Sequence, residues 1–373
     1  MSANSLLLKD QKYLQSYLNE SAWQKNTFYR DFFPLKFNPT YDYKTLIADE
    51  TAPVVADVVS YNSAAPEKTR QTVDAIYGQI PPLRVKRILD EVKLNEYLTL
   101  KGQQNPPNDQ IMQLLFGDTE FCFNAIEAQR ERLCLEALST FAITLTTTNN
   151  ESGIVLQTNI DFQLPASHKR AIVGTTTRLW SATTVANYKP ITDFEDIMQA
   201  AEDAGTEQPA WALMNTTSWR YFRKATEVIN FVLPGAYNKP AGIQMAVGMN
   251  QASINAALKE AGLPQIIIIN SRVRLENSVH LGTNNNPWAD NYVTFLPEDW
   301  SVGNMLYAPI AEENFPAKHA MYASRDGTLI SKFSDTDPIR EFTIGMSNCF
   351  PQIHKISNIW RLNHEDNALD GLD

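Results

Sequence analysis

A stretch that begins at Asn108 has the most constraining pattern in the sequence, an unusually long run of helical periodicity. Asn108 and Asp109 have side chains suited to capping a helix, and apolar residues then recur every three or four positions. The apolar positions are Ile111, Leu115, Phe123, Ile126, Leu133, Ala137, Leu138 and Phe141. The pattern predicts one helix from Asp109 to about Ile143, roughly 50 Å long, with Gly117 as its weak point. Such a helix is typical of a structural support.

An aromatic-rich segment, residues 4–37, precedes this helix. Its apolar side chains have partly helical spacing until Pro34 and Pro39 interrupt the pattern, which predicts an arm with one short amphipathic helix. So apolar an arm must be buried somewhere. It either covers the core of its own chain or lies against a neighbouring subunit.

A β-hairpin with a long polar tip is predicted over Ala52–Gln79, with the tip at Asn62–Lys68. The apolar positions that alternate on either side of the tip are Val54, Val55, Val58, Val59, Tyr61, Val73, Ile76 and Tyr77. The outer face is too polar for a fully buried sheet, so we expect the hairpin to project. Pro81–Pro82 then ends the strand, because proline cannot donate a ladder hydrogen bond.

The basic residues within Arg84–Glu96 are predicted to lie on a solvated helical face. Lys86 and Asp90 are four residues apart, as are Arg87 and Glu91, so each pair would meet on one side of a helix. Ion pairing therefore accounts for these charges without a nucleic-acid site.

After the long helix, predicted strands and helices are interspersed, which indicates a mixed α+β fold. The predicted helices are Asp193 to about Ala204, Thr216 or Thr217 through Val228, and Asn250–Ala261. The predicted strands are Thr144–Asn150 with a turn, Gly153–Phe162, Ala171–Val173, Trp211–Met214, Gln265–Asn270 and Val273–His280, followed by a polar loop at Asn284–Pro287.

Charge and hydropathy exclude several classes of protein. The 373 residues include 32 basic and 42 acidic side chains, a net charge of −10 without a long basic run, which argues against a nucleic-acid reader. The longest aliphatic block, Ile266–Ile269, is far shorter than the roughly 18 to 20 residues of a membrane span. Leu6–Leu8 precede the first lysine, which inverts a secretory signal, so we do not expect export.

The cysteines and histidines predict neither a disulfide framework nor a metal centre. The three cysteines are Cys122, Cys134 and Cys349, and none forms a CxxC pair, which favours synthesis in a reducing cytoplasm. The five histidines are far apart in sequence and are expected at the surface or at an interface: His168, His280, His319, His354 and His364.

Motifs of known catalytic chemistry are missing from the sequence. It contains no GxSxG, HExxH, Walker loop or GxGxxG. Asp335 and Asp337 form a DxD pair of the kind that binds a divalent ion in some sugar-transferring enzymes, but the adjoining Pro338 favours a turn with Asx capping. The acidic pairs Glu298–Asp299 and Glu312–Glu313 are assigned to solvated or interface positions.

The C-terminal third contains an ordered set of short motifs. They are Phe295–Asp299, Val302–Gly303, Tyr307–Pro309, Glu312–Glu313, Asp337–Pro338, Glu341–Phe342 and Phe350–Pro351, with Ala52–Val54 and Pro81–Pro82 upstream. In order and spacing this set resembles the tailed-phage major capsid protein E family, the lambda type. The resemblance extends over about Phe33–Leu362.

The resemblance implies the Hong Kong 97-type capsid fold, an α+β architecture with four recognisable parts. By this resemblance residues 1–40 are the N-terminal arm, and 41–100 hold the extended loop, at Thr51–Gln79, with its flanking segments. Residues 101–180 are the peripheral domain with its long spine helix, and 181–335 the axial domain. Residues 336–373 return to the peripheral domain and end in a C-terminal tail.

The resemblance also implies a major capsid protein, not an enzyme, that needs no cofactor and assembles in the host cytoplasm into hexamers and pentamers of an icosahedral head. The expected partners are other copies of the chain, a scaffolding protein, a portal and a decoration protein, around double-stranded DNA that is not read by sequence. The residues expected at subunit contacts are Trp23, Phe28, Phe32, Phe33, Val59, Tyr61, Lys68 and Arg70. Two alternatives are a cellular cargo-enclosing shell of the same fold and a metal-dependent hydrolase that uses Asp335 and Asp337.

Overall fold

Helices and strands both occur throughout the computed structural model, which describes residues 11–20, 27–48, 73–102, 108–146, 150, 159–172, 176–232, 250–276 and 284–366. The helices are α1 (Gln11–Glu20), α2 (Tyr29–Phe32), α3 (Glu91–Lys101), α4 (Asn108–Thr140), α5 (Pro190–Ala204), α6 (Thr216–Phe222), α7 (Thr226–Val232), α8 (Gln251–Glu260) and α9 (Ala311–Asn314). The predicted α+β class is confirmed.

The strands are mostly short, and the longest lie near the C-terminal end. They are β1 (Leu35–Phe37), β2 (Asp42–Ala48), β3 (Val73–Gln79), β4 (Pro82–Leu89), β5 (Ala142–Thr144), β6 (Asn159–Asp161), β7 (Lys169–Ala171), β8 (Trp211–Asn215), β9 (Gln265–Ile269), β10 (Val273–Arg274), β11 (Asn284–Asn285), β12 (Tyr292–Leu296), β13 (Gly303–Ala308), β14 (Ala320–Arg325), β15 (Thr328–Thr336), β16 (Ile339–Ile353) and β17 (Trp360–Asn363).

The chain divides into two units, and each is described by itself. The first contains Met1–Lys44, Tyr77–Cys134 and Asn304–Gln352. The second contains Thr45–Ile76, Leu135–Gly303 and Ile353–Asp373.

A six-stranded sheet is the frame of the first unit. Its strand order is β1-β13-β16-β15-β14, and β4 also pairs with the long strand β16. Side chains of neighbouring residues on a strand point to opposite faces. Gly345 of β16 faces α4, because a Cβ atom added there would lie 3.0 Å from the Cβ of Cys122. The alternate residues of β16, such as Ile344 and Met346, therefore face away from α4.

The long helix α4 confirms the periodicity seen in the sequence, but it ends earlier than predicted. It stops at Thr140 instead of about Ile143. Phe141 has a φ of +57°, a left-handed conformation that ends a helix, and the following residues form β5, which pairs with β6.

Helix α1 of the arm packs on its own chain. Leu14 and Leu18 have no exposed surface and belong to one apolar cluster with Phe116 and Phe123 of α4. The Gln15 amide donates to the carbonyl of Ser324 at 2.9 Å and accepts the Ser324 N–H at 3.0 Å. Helix α1 therefore occupies the outer edge of β14, the last strand of the sheet.

The predicted helical face at Arg84–Glu96 is wrong over its first half. Pro82–Leu89 is the strand β4, paired with Glu341–Asn348 of β16, and a helix begins only at Glu91. Lys86 and Arg87 are exposed, as expected, but Arg87 pairs with Asp118 at 3.7 Å and not with Glu91. Local charge spacing suggested a helix, but pairing with a strand about 250 residues later decided the structure.

The second unit is built around a five-stranded sheet of order β7-β17-β12-β8-β9. Strands β8 and β9 are parallel, and the chain between them forms α6, α7 and α8. These helices and α5 contribute to one apolar core that includes Trp180, Phe194, Phe222 and Phe295.

Two helical predictions in the second unit need correction. The single helix expected through Val228 is two helices, α6 and α7, separated by residues 223–225. The cap is Asn215, whose side chain accepts the Ser218 N–H at 2.8 Å, and not Thr216 or Thr217. Residues 284–285, expected in a loop, form the short strand β11, which pairs with β10.

The predicted β-hairpin is described only at its returning side. Strand β3 matches the expected return at residues 73–79, and it pairs with β2. The outgoing strand and tip, residues 52–68, lie outside the described residues. Among the helices that are described, none is both long and apolar enough to cross a bilayer.

Candidate interaction surfaces

The second helix of the arm is fastened to α4 by a carboxylate. Glu131 accepts the backbone N–H of Phe28 at 3.1 Å and that of Tyr29 at 2.9 Å. Free N–H groups at the start of a helix attract negative charge, so α4 supplies the cap that α2 lacks in its own sequence. The contact spans 102 residues of sequence.

A buried polar cluster continues from this cap. The Tyr29 hydroxyl donates to Glu127 at 2.7 Å, and Arg30 bridges Glu127 and Asp326 at 3.0 Å each. Burial raises the pKa of Tyr29 well above its usual range, and the Glu127 carboxylate raises it further. Tyr29 therefore stays protonated and remains a hydrogen-bond donor.

Arg130 completes the cluster and has no exposed surface. Its guanidinium donates to Glu127 at 2.6 Å and to the Ser347 hydroxyl at 2.8 Å, and its Nε lies 3.5 Å from the Cys349 sulfur. Since a buried charge is costly unless it is paired, this arginine fixes α4 against β16 through several partners.

A second buried ion pair lies further along the same face of the sheet. Lys332 and Glu341, each 2% exposed, lie with Nζ and Oε1 3.7 Å apart. Lys332 also donates to the Leu115 carbonyl of α4 at 2.8 Å. Burial lowers the pKa of Lys332 in spite of the nearby Glu341.

The opposite face of the sheet is partly open and contains a cavity of about 510 Å³. Its floor is mainly apolar, and its rim carries Arg84 and Lys86 together with the carboxylate of Glu312, which lies 3.6 Å from Arg84. The lining residues are Arg84, Val85, Lys86, Glu312, Ala317, His319, Ala320, Tyr322, Ser331, Phe333, Ser334, Ile344 and Met346. We call this feature the outer groove.

The residues predicted at subunit contacts are only partly described. Phe32 and Phe33 are 1% and 0% exposed within their own chain. These two residues therefore cover the core of their own chain, which was the alternative to a contact with a neighbouring subunit. Phe28 is half-buried. The other five, Trp23, Val59, Tyr61, Lys68 and Arg70, lie outside the described residues, and their role at contacts stays a prediction.

The charged residues of the polar cluster between the arm and α4 were not predicted from the sequence. Glu127, Arg130 and Glu131 recur at helical spacing within the half of α4 that is most buried in the structure. Charges placed on a face that is otherwise buried are the available signal for such a cluster.

Two of the histidines are buried, contrary to the prediction of surface positions. His168 is 5% exposed and stacks on Trp360, and its Nδ1 lies 3.0 Å from the Ile359 carbonyl oxygen. His364 is 0% exposed and stacks on Trp180. Both fill apolar surroundings and use their nitrogens in hydrogen bonds, which sequence spacing does not reveal. His319 and His354 are exposed, as predicted.

Ser218, His364 and Glu365 have the spacing of a catalytic triad. Nε2 of His364 lies 2.7 Å from Ser218 Oγ, and Nδ1 lies 3.0 Å from Glu365 Oε1. Ser218 has no exposed surface, and its hydroxyl donates to the Asp290 carbonyl at 2.8 Å. A nucleophile must reach its substrate, so this arrangement acts as an internal brace between α6, β17 and the loop before β12.

The acidic pairs have no converging partners that suggest a metal. Asp335 accepts the adjacent Thr336 N–H, and residues 337–338 make the turn between β15 and β16. Asp299 binds Lys355 at 2.6 Å, a hydrogen bond that lowers the pKa of its carboxyl group. Within the described ranges no group of three or more His, Cys, Asp or Glu could hold an ion.

The comparison with protein families decides between the remaining possibilities. The profile of the family described as "Phage major capsid protein E" matches residues 10–337. The chain belongs to this family. The capsid family does not favour the hydrolase or the cargo-enclosing shell.

Two solved structures share the fold of this capsid protein. A phage-related protein of Bordetella bronchiseptica RB50 matches with a TM-score of 0.54 at 12% identity, covering 97% of this chain and 99% of that one. A prophage protein of Escherichia coli CFT073, assigned as a candidate capsid protein, matches with a TM-score of 0.56 at 16% identity, covering 95% and 99%. No curated protein matches the sequence.

The expected Hong Kong 97-type architecture is thus confirmed, and so is the expected capsid-forming role. A capsid protein acts through its contacts with other copies, so its functional sites are surfaces. The family places the chain in the shell of the virion as a structural protein.

Proposed function

We propose that this capsid protein assembles into hexamers and pentamers that form the icosahedral head of a tailed phage around its double-stranded DNA. The observation that carries the proposal is the family match over residues 10–337. A subunit with head-to-tail contacts can close into rings, and modest flexing lets the same chain serve two ring sizes. The net charge of −10 suits a container, because an acidic wall has few groups that neutralise phosphates.

We assign the parts of the capsid fold to segments of the chain by the domain boundaries expected from the sequence. Residues 1–40 would act as the arm, 41–100 as the extended loop and its flanks, and 101–180 as the peripheral domain. Residues 181–335 would form the axial domain, and 336–373 the return and tail, although β13–β15 share one sheet with β16 in the first unit. The long helix α4 and the arm residues packed on it support the first and third of these assignments.

The proposed partners are further copies of the chain, a scaffolding protein, a portal and a decoration protein, with assembly in the host cytoplasm. Projecting residues of the extended loop, including Val59, Tyr61, Lys68 and Arg70, would lie over a neighbouring subunit, and Trp23 of the arm would contact one as well. Aromatic and arginine side chains are typical anchors of such contacts.

Assembly itself tests the proposal. Expressed with a scaffolding protein, the chain should sediment as rings or shells and appear as such by electron microscopy. A well-folded monomer under all such conditions would reject the proposal. Deletion of Val59–Thr72 should leave a folded subunit that forms no shells, and unchanged assembly would reject the bridging role of the loop.

A further inference from the structure

Three short polar contacts in series pass through the imidazole ring of His364, inside the second unit. Its Nδ1 lies 3.0 Å from Glu365 Oε1, and its Nε2 lies 2.7 Å from Ser218 Oγ. The same Ser218 oxygen lies 2.8 Å from the carbonyl oxygen of Asp290. Each contact joins two electronegative atoms at hydrogen-bond distance, so each needs one hydrogen between its atoms.

A neutral imidazole does not supply enough hydrogens for these contacts. A neutral ring has one N–H group and the Ser218 side chain has one O–H group, which makes two hydrogens for three contacts. If Ser218 donated to the ring, its oxygen would face the Asp290 carbonyl oxygen without a hydrogen between them. The doubly protonated ring has two N–H groups, and together with the serine hydroxyl it satisfies all three contacts.

By count alone the extra hydrogen would fit equally well on Glu365, but the contacts of this carboxylate favour its ionised form. Its Oε1 accepts the backbone N–H of Ser181 at 2.9 Å, and its Oε2 accepts the Ser181 hydroxyl. Burial acts against ionisation, but the hydrogen bonds from His364 and Ser181 prevail and lower the pKa of the Glu365 carboxyl group. The extra hydrogen therefore belongs to the imidazole.

The ring is held in place, so it does not avoid these contacts by turning. His364 is 0% exposed and stacks on Trp180 with 4.7 Å between the ring centres. Its backbone N–H donates to the Asn291 carbonyl at 3.0 Å, and its own carbonyl accepts the Trp180 N–H at 3.2 Å. A buried cation is costly unless it is paired, and Glu365 provides the paired charge.

The elements packed around the ring carry more negative than positive charge. Tyr221 of α6 meets the ring edge-on, and Trp180 connects it to a carboxylate of α5 through an indole hydrogen bond of 2.9 Å. The titratable and charged groups on these elements are Glu365, Asp366, Tyr221, Asp290, Asp193 and Arg178. The one guanidinium among them is paired with Asp193 at 2.9 Å. This surplus of carboxyl groups favours a cationic ring.

We propose that the folded chain holds His364 as a doubly protonated imidazolium, which makes its contacts with Ser218 and Glu365 a pH-sensitive brace. When the ring loses a proton, one of the three contacts is left without its hydrogen, and the connection between α6 and the end of β17 weakens. The brace therefore stabilises the second unit while the ring is protonated and loses that effect as the pH rises. This inference goes beyond the proposed function, because it concerns the single folded subunit and not its assembly.

Nuclear magnetic resonance of the ring nitrogens tests the protonation state in the full chain. The protein is made with isotope-labelled histidine, and the His364→Gln variant identifies the resonances that belong to this ring. We expect a hydrogen on both ring nitrogens of His364 at about pH 7, where an unperturbed histidine with a pKa of about 6.5 is mainly neutral. The exposed His319 supplies the comparison resonances. A His364 ring with one bare nitrogen at this pH would overturn the inference.

A Glu365→Gln variant identifies the group that holds the extra proton. A glutamine amide donates to Nδ1, so a neutral ring with its hydrogen on Nε2 then satisfies all three contacts. We expect one ring hydrogen in this variant at the same pH, whereas Glu202→Gln, at an exposed position of α5, should retain both. Two ring hydrogens in Glu365→Gln would overturn the inference, because the carboxylate would then not be what retains the proton.

Urea denaturation at increasing pH tests whether the brace responds to this proton. In the wild type and in Glu202→Gln, the free energy of unfolding should fall over the same pH interval in which the ring loses its second hydrogen. Glu365→Gln should lack this fall, because its ring is already neutral. A wild-type stability that stays constant while the ring loses a hydrogen would overturn the inference, whatever the outcome of the assembly experiments.

Discussion

The carboxylate of Glu131 on the long helix accepts the backbone N–H of Tyr29 in the arm at 2.9 Å. One side chain in the middle of the fold thus caps a short helix that is distant in sequence. Because Phe28 donates to the same carboxylate, two N–H groups depend on it.

Glu131→Ala should loosen the arm, because it leaves these N–H groups without their acceptor. We expect a loss of about 1–3 kcal/mol in the free energy of unfolding and faster proteolysis near residue 28. Urea denaturation and limited proteolysis measure the two effects. Glu120→Ala, on an exposed position of the same helix, is the control and should change neither. Equal behaviour of the two variants would show that the cap is not needed.

Arg130→Met should be among the most damaging single changes in the first unit. It leaves Glu127 buried without its closest cation, at a cost of about 3–5 kcal/mol. Chemical denaturation measures the loss. The double variant Glu127→Gln/Arg130→Met should recover part of it, since no unpaired charge then remains. A double variant as unstable as the sum of the single changes would contradict this account.

Gly117→Ala should stabilise the long helix. A Cβ atom there would meet only the Cγ of Gln113, at an ordinary 3.8 Å, so the residue gains helical propensity without a clash. We expect about 0.5–1 kcal/mol of added stability in thermal denaturation. Gly345→Ala is the contrasting variant, because its Cβ would lie 3.0 Å from Cys122, and it should destabilise. A destabilised Gly117→Ala chain would mean that this position needs flexibility.

Asp193 should make stability depend on pH. Burial raises its pKa to about 7, although hydrogen bonds from Trp180 and Arg178 favour the ionised form. The folded-state pKa lies above the unfolded value of about 3.9, so the native chain retains the proton to higher pH. The contribution of Asp193 to the free energy of unfolding is therefore lost as the pH rises from about 4 to 7. The slope is at most about 1.4 kcal/mol per pH unit.

Denaturation curves between pH 4 and 7 measure this effect. Asp193→Asn should flatten the dependence, whereas Glu202→Gln, exposed on the same helix, should leave it as in the wild type. Two variants with the same slope would exclude Asp193 as the source.

Local sequence predicted those parts of the fold that depend on local forces. Helix α4 repeats its apolar pattern over 33 residues, so periodicity alone located it. Strand β4 was misjudged because Lys86 and Asp90 have helical spacing, while its actual partner, β16, is distant in sequence. Pairing of this kind is a tertiary effect that a local pattern does not encode.

The surfaces were harder to predict for the same reason. Aromatic residues of the arm suggested subunit contacts, but Phe32 and Phe33 proved to be buried in their own chain. His364 gained its partner Ser218 from 146 residues away.

The two hydrogen bonds between the Gln15 side chain and the Ser324 backbone have a consequence for folding during synthesis. The two residues are 309 positions apart, so at about 5–20 residues per second the first helix leaves the ribosome roughly 15–60 s before its strand exists. Helix α1 is therefore available to cover the edge strand β14 as soon as that strand has been synthesised. An edge strand that is covered in this way cannot pair with the edge strand of another newly made subunit, and such pairing leads to aggregation.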